Sequence, residues 1–337
     1  MSGPTTVPAA SGPTGPSTAP AGPAGTRRGR EPGPPASRRY DRQLGLPGIG
    51  AAEQARLRGC SVLVAGIGGV GGATAAYLAA AGVGRLVLVH PGELEEPDLN
   101  RQTLMQPEDL GRSRVRAAAR TLCRHHTDVE VVAHDCPVAD PRLAGLIADA
   151  DVVVDARHNF PERYLINRLC REHAVPEVVC AMDGAQLQLM TSLAGGPCWR
   201  CVFPVGDPGW QPLGFRVLGA VAGTAGSLAA AEVVKLITGA GTPLSGRLLF
   251  GDLWSMEFRT LAVRRRPGCP DCDPAVTMAT TADGADGFLP CGGRCGCQGP
   301  GDAGHPQHGR GDAGHPQHGH GGHRHPCGDG MPHVEGM

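Results

Sequence analysis

Lysine is nearly absent from this sequence: Lys235 is the only one in 337 residues, and the other basic side chains are arginines. A missing lysine at any one position therefore means little, because arginine is the expected replacement. The formal net charge of −1 gives no indication of a nucleic-acid partner. The chain also lacks a basic start followed by an apolar core, so no secretory signal peptide is predicted.

Long apolar runs are scarce as well. The longest, Leu218 to Ile237, is rich in glycine and alanine and contains Glu232 and Lys235. We expect a loop and a buried helix there, and no membrane span. Thirteen cysteines without a secretory signal predict a reducing, cytoplasmic compartment in which thiols stay free or bind metal.

Composition changes sharply at both ends of the chain. Residues 1–36 are almost all proline, glycine, alanine, serine and threonine, and are predicted to be disordered. Residues 276–337 are rich in glycine, histidine and cysteine, and repeat one nonapeptide at 301–309 and 311–319. This tail either binds zinc, nickel or copper, or is a solvated segment that binds metals only opportunistically, which we favour. The predicted folded domain is 37–275.

Strand and helix patterns alternate through the first part of this domain. Apolar strand cores separated by helices predict an α/β fold with a Rossmann-like, doubly wound, mostly parallel sheet. After Asp183 the pattern changes to an antiparallel extension. The predicted strands are 61–65, 85–90, 129–133, 151–155, 178–180, 186–191, 247–250 and 256–264.

A glycine-rich turn follows the first predicted strand. Gly66, Gly68, Gly69 and Gly71 form a G-x-G-G-x-G sequence that leads directly into a helix. Such glycines let the backbone approach a phosphate, which then binds the unpaired N–H groups of the helix N-terminus. The signal alone is weak, because many dinucleotide-binding folds contain it.

Two Cys-x-x-Cys pairs lie far apart in the second half. Cys198 with Cys201 and Cys269 with Cys272 have the spacing of a tetrahedral Cys₄ zinc site. Such a site would tie the loop at 198 to the end of the domain. A closed structural site has no open coordination position, so we assign no chemistry to it. The alternative is four free thiols that never meet.

Several motifs together resemble the ThiF/MoeB/HesA adenylyltransferases, which are relatives of the ubiquitin-activating enzymes. The resemblance covers about 37–273. It is carried by Arg39-Tyr40-Asp41-Arg42-Gln43, the glycine turn, Ala81-Gly82-Val83-Gly84, Leu99-Asn100-Arg101-Gln102, the run from Asp155 to Asn167, and both cysteine pairs. It implies one Rossmann-like domain with a zinc staple, working as a homodimer.

The resemblance also implies an activity. The family binds Mg-ATP and the C-terminal Gly-Gly of a small ubiquitin-like sulfur-carrier protein, joins the carboxylate to AMP and releases pyrophosphate. By this likeness Arg101 contacts the phosphates, and Arg42 reaches the γ-phosphate in the partner subunit's site. Arg114 stands where the family has its active-site lysine. The implied nucleotide-binding residues are Gly66, Gly68, Gly69, Gly71, His90, Asp98, Asn100, Gln102 and His158.

This chain departs from the family pattern at the same site. His90 replaces the aspartate that grips the ribose, and His158 replaces the aspartate expected to hold magnesium. Magnesium prefers hard oxygen ligands, which imidazole does not supply. Asp98, itself in place of an asparagine, Asp155 and Asp183 are the candidates for that oxygen. The loop 202–217 has no cysteine, which argues against a thioester or persulfide step but not against adenylation.

Three functions remain at this stage. The first is adenylation of a carrier protein or related peptide. The second is a member of the same fold that binds nucleotide or a carrier without turnover, suggested by His90 and His158. The third, an NAD-dependent oxidoreductase, rests only on the glycine turn and leaves Arg101 and the cysteine pairs unexplained.

Overall fold

Eight strands form one continuous sheet, in a computed structural model that describes residues 38–206 and 216–273. The strand order is β3-β2-β1-β4-β5-β6-β7-β8. The strands are β1 Ser61–Ala65, β2 Arg85–Val89, β3 Glu130–His134, β4 Val152–Asp155, β5 Glu177–Asp183, β6 Gln186–Ser192, β7 Arg247–Asp252 and β8 Glu257–Ala262. The helices are α1 Ala51–Gly59, α2 Gly69–Ala80, α3 Arg114–His125, α4 Arg142–Ala148, α5 Phe160–Glu172, α6 Trp199–Val202 and α7 Gly219–Thr238. Both predicted tails lie outside the described residues.

The centre of the parallel half of the sheet is buried on both faces. β1 lies between β2 and β4, and all five of its residues are buried. Val62 and Val64 pack with α2, α3 and α7, whereas Leu63 and Ala65 belong to a second core with α4 and α5. Continuous apolar strands need such two-sided cover, so the predicted doubly wound sheet is confirmed.

The predicted antiparallel extension begins at β6. β5 is longer than predicted because β6 pairs with its whole length, from Glu177 opposite Ser192 to Asp183 opposite Gln186. β7 and β8 continue the sheet in antiparallel pairing, and every residue of β8 is exposed. The cavity described below lies where the parallel strands end and this extension starts.

The long apolar run is helical from Gly219 onward, so the loop expected at its start is wrong. α7 packs against α2 and β5, and at Gly226 an added Cβ would lie 2.4 Å from the Val70 carbonyl oxygen. By length and composition α7 is the one helix in the described ranges that could cross a membrane; 56% of its most apolar window is buried in the protein. The observed packing is that of a core helix.

Two charged residues on α7 have local partners. Glu232 is buried, and its Oε2 accepts hydrogen bonds from the Thr191 hydroxyl at 2.6 Å and the Leu244 N–H at 2.7 Å. Lys235 forms an ion pair with Glu232 and donates to the Thr242 carbonyl at 3.1 Å. These contacts compensate the burial of the carboxylate.

Candidate functional site

A cavity of about 920 Å³ lies at the carboxyl ends of β1, β2, β4 and β5. In an open α/β sheet this edge is where ligands bind. One part of the wall combines the start of α2 with charged side chains. The opposite part is apolar and is formed by Phe160, Met182, Trp199, Phe203 and Val205.

Two of the four motif glycines are required by backbone packing. A Cβ on Gly71 would lie 1.7 Å from the Gly66 carbonyl oxygen, and a Cβ on Gly66 would lie 2.7 Å from the Ala156 carbonyl oxygen. Gly66 also has φ +99°, which disfavours other residues. These two glycines bring β1, β4 and α2 together.

The other two motif glycines face the cavity. Gly68 precedes α2, and a Cβ there would meet nothing within 4 Å. Gly69 lies under Arg101, whose Cγ would be 3.1 Å from an added Cβ. The first N–H groups of α2 have no intrahelical partner and lie beside this open space, which suits an anionic group.

His90, at the end of β2, is a buried acceptor. Its Nδ1 accepts a 2.7 Å hydrogen bond from the Ile67 N–H and lies 3.3 Å from Nη1 of Arg157. Burial, and then the guanidinium groups of Arg157 and Arg114, hold the pKa of His90 well below its usual range. The ring is therefore neutral, and its proton is on Nε2.

Asp98 holds two arginines beside the cavity. Its Oδ1 accepts from Arg101 at 2.9 Å, and its Oδ2 lies 3.3 Å from Arg114. All three side chains are largely buried and line the cavity. Three residues predicted from the sequence are thus brought together, and the two arginines share one carboxylate.

The remaining predicted residues are placed differently. Gln102 is buried in the cavity wall, and its Oε1 has no hydrogen-bond partner among the described residues. Asn100 lies outside the cavity and donates to the Val217 carbonyl at 3.3 Å. Arg42 is exposed away from the cavity, in a turn fixed by Tyr40, which is buried, and by Gln43, which donates to the Ala81 carbonyl at 2.9 Å.

The segment after β4 brings a third arginine to the cavity. Arg157 is 4% exposed and pairs with Glu162 at 2.7 Å. His158 follows at the mouth of the cavity, where partial desolvation and then Arg157 lower the pKa of His158 to about 4. Asn159 caps α5 by accepting the Glu162 N–H at 2.8 Å.

The carboxylates expected as metal ligands are not equivalent. Asp155 is fully buried, lies 3.3 Å from Arg163 and accepts the Arg157 N–H at 2.9 Å, so it is committed to protein contacts. Burial raises its pKa. Asp98 already serves two arginines. Asp183, in contrast, is an exposed carboxylate in the cavity wall.

The four zinc-predicted cysteines meet at one point. Their sulfur atoms lie within 4.8 Å of one another, and the Sγ–Sγ distances are 3.8 Å for Cys198–Cys201, 3.7 Å for Cys198–Cys269 and 3.3 Å for Cys201–Cys272. A tetrahedral zinc with sulfur ligands at about 2.3 Å needs sulfurs about 3.8 Å apart. The cluster can therefore hold zinc. The nine cysteines within 38–206 and 216–273 are all free thiols.

Several cavity residues were not predicted from the sequence as site residues. Arg157 and Arg163 lie in the run from Asp155 to Asn167 that carries part of the family resemblance, and this position is the signal that could have marked them. Trp199, between two of the cysteines, forms part of the apolar wall. Gln188 on β6 extends the wall into the antiparallel strands.

Comparison with known proteins agrees with this geometry. The chain matches the profile of the ThiF family over residues 40–271. It is 45% identical over 229 residues to "Protein HesA, heterocyst" of Trichormus variabilis, covering 67% of this chain and 85% of that protein. It is 38% identical over 247 residues to the sulfur carrier protein adenylyltransferase of Thermus thermophilus, covering 71% and 91%.

The fold also has a match among solved structures. Escherichia coli MccB, in complex with MccA-N7isoASN, superimposes with a TM-score of 0.63 over 71% of this chain and 76% of MccB. The sequence identity is 22%, so the likeness concerns the fold.

Proposed function

The chain belongs to the ThiF family, and from this we propose that it adenylates the C-terminal glycine carboxylate of a ubiquitin-like sulfur-carrier protein or a related peptide. ATP is the co-substrate and pyrophosphate the released product. A relative named as a sulfur carrier protein adenylyltransferase supports the substrate class. The observation that carries the proposal is the pair Arg101 and Arg114, held by Asp98 beside the open start of α2.

Adenylation requires little acid–base catalysis by the protein. The substrate carboxylate is ionised at neutral pH, and one of its oxygens attacks the α-phosphorus of ATP. A new carboxyl O–P bond forms, the bond from the α-phosphorus to the bridging oxygen breaks, and pyrophosphate leaves with that electron pair. Fixed cations stabilise the charge that develops on the leaving group. Arg101 and Arg114 are the residues we assign to this role.

The adenosine part of ATP requires polar partners in the same wall. The Nε2–H of His90 can donate to a ribose hydroxyl oxygen, and the free Oε1 of Gln102 can accept from a hydroxyl or amino group. His90 stands where the resemblance implies an aspartate for the ribose. Gly68 leaves room for the phosphates, and Gly69 lets α2 lie close to Ala222 and Arg101.

Magnesium fits an exposed carboxylate of the cavity wall, Asp183 or Glu95, and not the position that the family predicts. His158 offers nitrogen, whereas Asp183 offers oxygen, and a magnesium ion on ATP needs only one or two carboxylates besides the phosphates. We propose that Asp183 holds the ion. When bound, it neutralises phosphate charge.

We further propose a homodimer in which Arg42 completes the partner subunit's site. Arg42 is exposed and projects from an anchored turn, so it is presented outward and not into its own cavity. A cytoplasmic location and the absence of a nucleic-acid or membrane partner stay predictions.

ATP–pyrophosphate exchange is the test of adenylation. With a carrier protein ending in Gly-Gly we expect exchange of labelled pyrophosphate into ATP, and no exchange with the same carrier lacking the two glycines. Arg101→Ala should lower exchange by about 10²–10³-fold, as loss of one charge-stabilising donor does in other enzymes.

The alternative is a family member that binds nucleotide without turnover, and His90 and His158 are the residues that favour it. ATP binding by calorimetry without exchange, across a panel of Gly-Gly carriers, would establish this second function. Binding of NAD in preference to ATP would contradict both.

A further inference from the structure

Helix α5 connects the cavity to the cysteine cluster. Asn159, Arg163 and Asn167 follow one another at intervals of four residues and so share one face of the helix. Asn159 begins the helix at the cavity, and Asn167 is fully buried near the cysteines. Nothing in the adenylation chemistry proposed above uses Asn167.

The side-chain amide of Asn167 contacts both cysteine pairs. Its Oδ1 accepts the Trp199 N–H at 3.0 Å, and Trp199 lies between Cys198 and Cys201. Its Nδ2 donates to Asp271 Oδ2 at 2.7 Å, and Asp271 lies in the second pair. One end of the amide meets a donor and the other an acceptor, so its orientation is fixed.

Trp199 also forms part of the cavity wall. The Cζ atom of Arg163 lies 5.4 Å from the centre of its ring. Arg163 in turn contacts Asp155, the last residue of β4, at 3.3 Å and donates to the carbonyl of Cys180, within β5, at 3.0 Å. Movement of Trp199 therefore changes the support of an arginine that lines the cavity.

We propose that Asn167 is a positioning residue that links the Cys₄ cluster to the nucleotide cavity. With zinc on the four thiolates, both cysteine pairs are fixed, and Asn167 holds Trp199 and hence Arg163 against the cavity. Loss of this amide loosens the zinc and weakens ATP binding, although Asn167 reaches the metal site only through Cys198, Trp199 and Asp271 and does not line the cavity. The inference rests on ATP as the ligand of the cavity.

An exchange of partners tests the link between Asn167 and Asp271. Asn167→Asp keeps the acceptor for Trp199 but sets two carboxylates against each other. Adding Asp271→Asn restores one donor and one acceptor. Asp271→Asn alone is the control for the contact of Asp271 with Arg200, which is 3.3 Å in the native protein and is weakened in both variants that carry this substitution.

Zinc release to a chelator and the Kd of ATP by calorimetry are measured for each variant. We expect N167D to release zinc about 10–100-fold faster, the usual range for loss of a residue that orients metal ligands. Its ATP Kd should rise about 5–10-fold, a coupling of the size seen between linked sites. The N167D/D271N double variant should recover most of both losses relative to D271N.

Ile166→Ala serves as the control, because Ile166 is buried in the other core on the same helix and contacts no cysteine pair. It should lower the thermal midpoint without faster zinc release. If N167D releases zinc faster while its ATP Kd equals that of the native protein, or if the double variant recovers nothing, the link is wrong. If the native protein itself binds no ATP, the proposed function fails instead.

Discussion

The Nδ1 atom of His90 accepts a 2.7 Å hydrogen bond from the backbone N–H of Ile67, within the glycine turn itself. The imidazole is thus a structural partner of the glycine turn as well as part of the cavity wall. An aspartate in this place would accept hydrogen bonds from a ligand, whereas neutral His90 presents a donor. The ribose contact expected here therefore has the opposite polarity.

Ribose recognition and its pH dependence test this assignment. His90→Phe removes the contact with the Ile67 N–H and the proposed contact with the ribose. We therefore expect the variant to bind ATP more weakly than the native protein does, and to prefer ATP over 2′-deoxyATP by a smaller factor. Loss of the acceptor for Ile67 should lower the free energy of unfolding by about 1–3 kcal/mol.

The pKa of His90 is lowered, so its ring stays neutral and should contribute no change in ATP affinity between pH 6 and 8. Its contribution to stability is present above the ordinary histidine pKa of about 6.5 and decreases as the pH falls below that value. Calorimetric titrations across pH check the first point. An inflection near pH 6.5 that His90→Phe abolishes would contradict a neutral ring.

Two glycines of the same turn should respond in opposite ways to one methyl group. Gly71→Ala places a Cβ 1.7 Å from a carbonyl oxygen, so we expect an unfolded or strongly destabilised protein. Gly68→Ala has open space and should fold with a native thermal midpoint but bind ATP about tenfold more weakly, since its Cβ would occupy room for the phosphates. Thermal unfolding and ATP calorimetry separate the two effects. Native ATP affinity in Gly68→Ala would mean that the phosphates lie elsewhere.

The metal requirement should follow the carboxylates of the cavity. Asp183→Asn is expected to raise the magnesium concentration needed for half-maximal exchange about tenfold, because an oxygen ligand is weakened. His158→Asp should lower it by supplying a second one. Half-buried Asp252, on β7 and outside the cavity wall, provides a control as Asp252→Asn. Equal magnesium requirements in all these variants would place the ion away from Asp183.

Glu177 should make the protein less stable as the pH rises. It is fully buried at the start of β5, neither carboxyl oxygen has a partner among the described residues, and burial raises its pKa well above the usual range. The folded state retains this proton, whereas the unfolded chain loses it near the ordinary glutamate pKa. The stabilising effect of the retained proton is therefore complete below the ordinary glutamate pKa. Above that value the free energy of unfolding falls by about 1.4 kcal/mol per pH unit, until the pH reaches the pKa of Glu177 in the folded state.

Glu177→Gln should remove this dependence and raise the free energy of unfolding at pH 7. Urea unfolding from pH 5 to 9, with exposed Glu172→Gln for comparison, measures the difference. Parallel pH profiles for the native protein and Glu177→Gln would show that Glu177 keeps its charge.

Mixing two inactive variants tests whether Arg42 acts on the partner subunit. Arg42→Ala and Arg101→Ala should each be inactive in exchange. After mixing and reassembly in equal amounts, half of the dimers are hybrid and each hybrid contains one complete site. About a quarter of native activity should return. No recovery, with subunit exchange verified by mass, would place Arg42 in its own site or outside the reaction.

Local sequence patterns predicted the elements well, because they are set by local chemistry. The apolar residues of strand 61–65 mark a buried strand, and close backbone packing requires glycine at 66 and 71. The spacing of the cysteines within each pair is that of a tetrahedral metal site. Contacts between distant segments could not be read in this way. The position of α5 on the sheet determines two such contacts. It pairs Asp155 with Arg163, and it brings Asn167 against residues of both cysteine pairs. The loop predicted at the start of α7 is wrong, because the packing of this segment on α2 favours a helix.

Lys235, occupied by Glu232 and the Thr242 carbonyl, has one more consequence. An acyl-adenylate is an electrophile that amines attack readily. A protein that makes such a product while carrying a single lysine offers it only one side-chain amine, and that amine is already engaged in an ion pair. Replacement of lysine by arginine elsewhere leaves cations that bind phosphate but do not form amides, so the chain is a poor acceptor for the product of the proposed reaction.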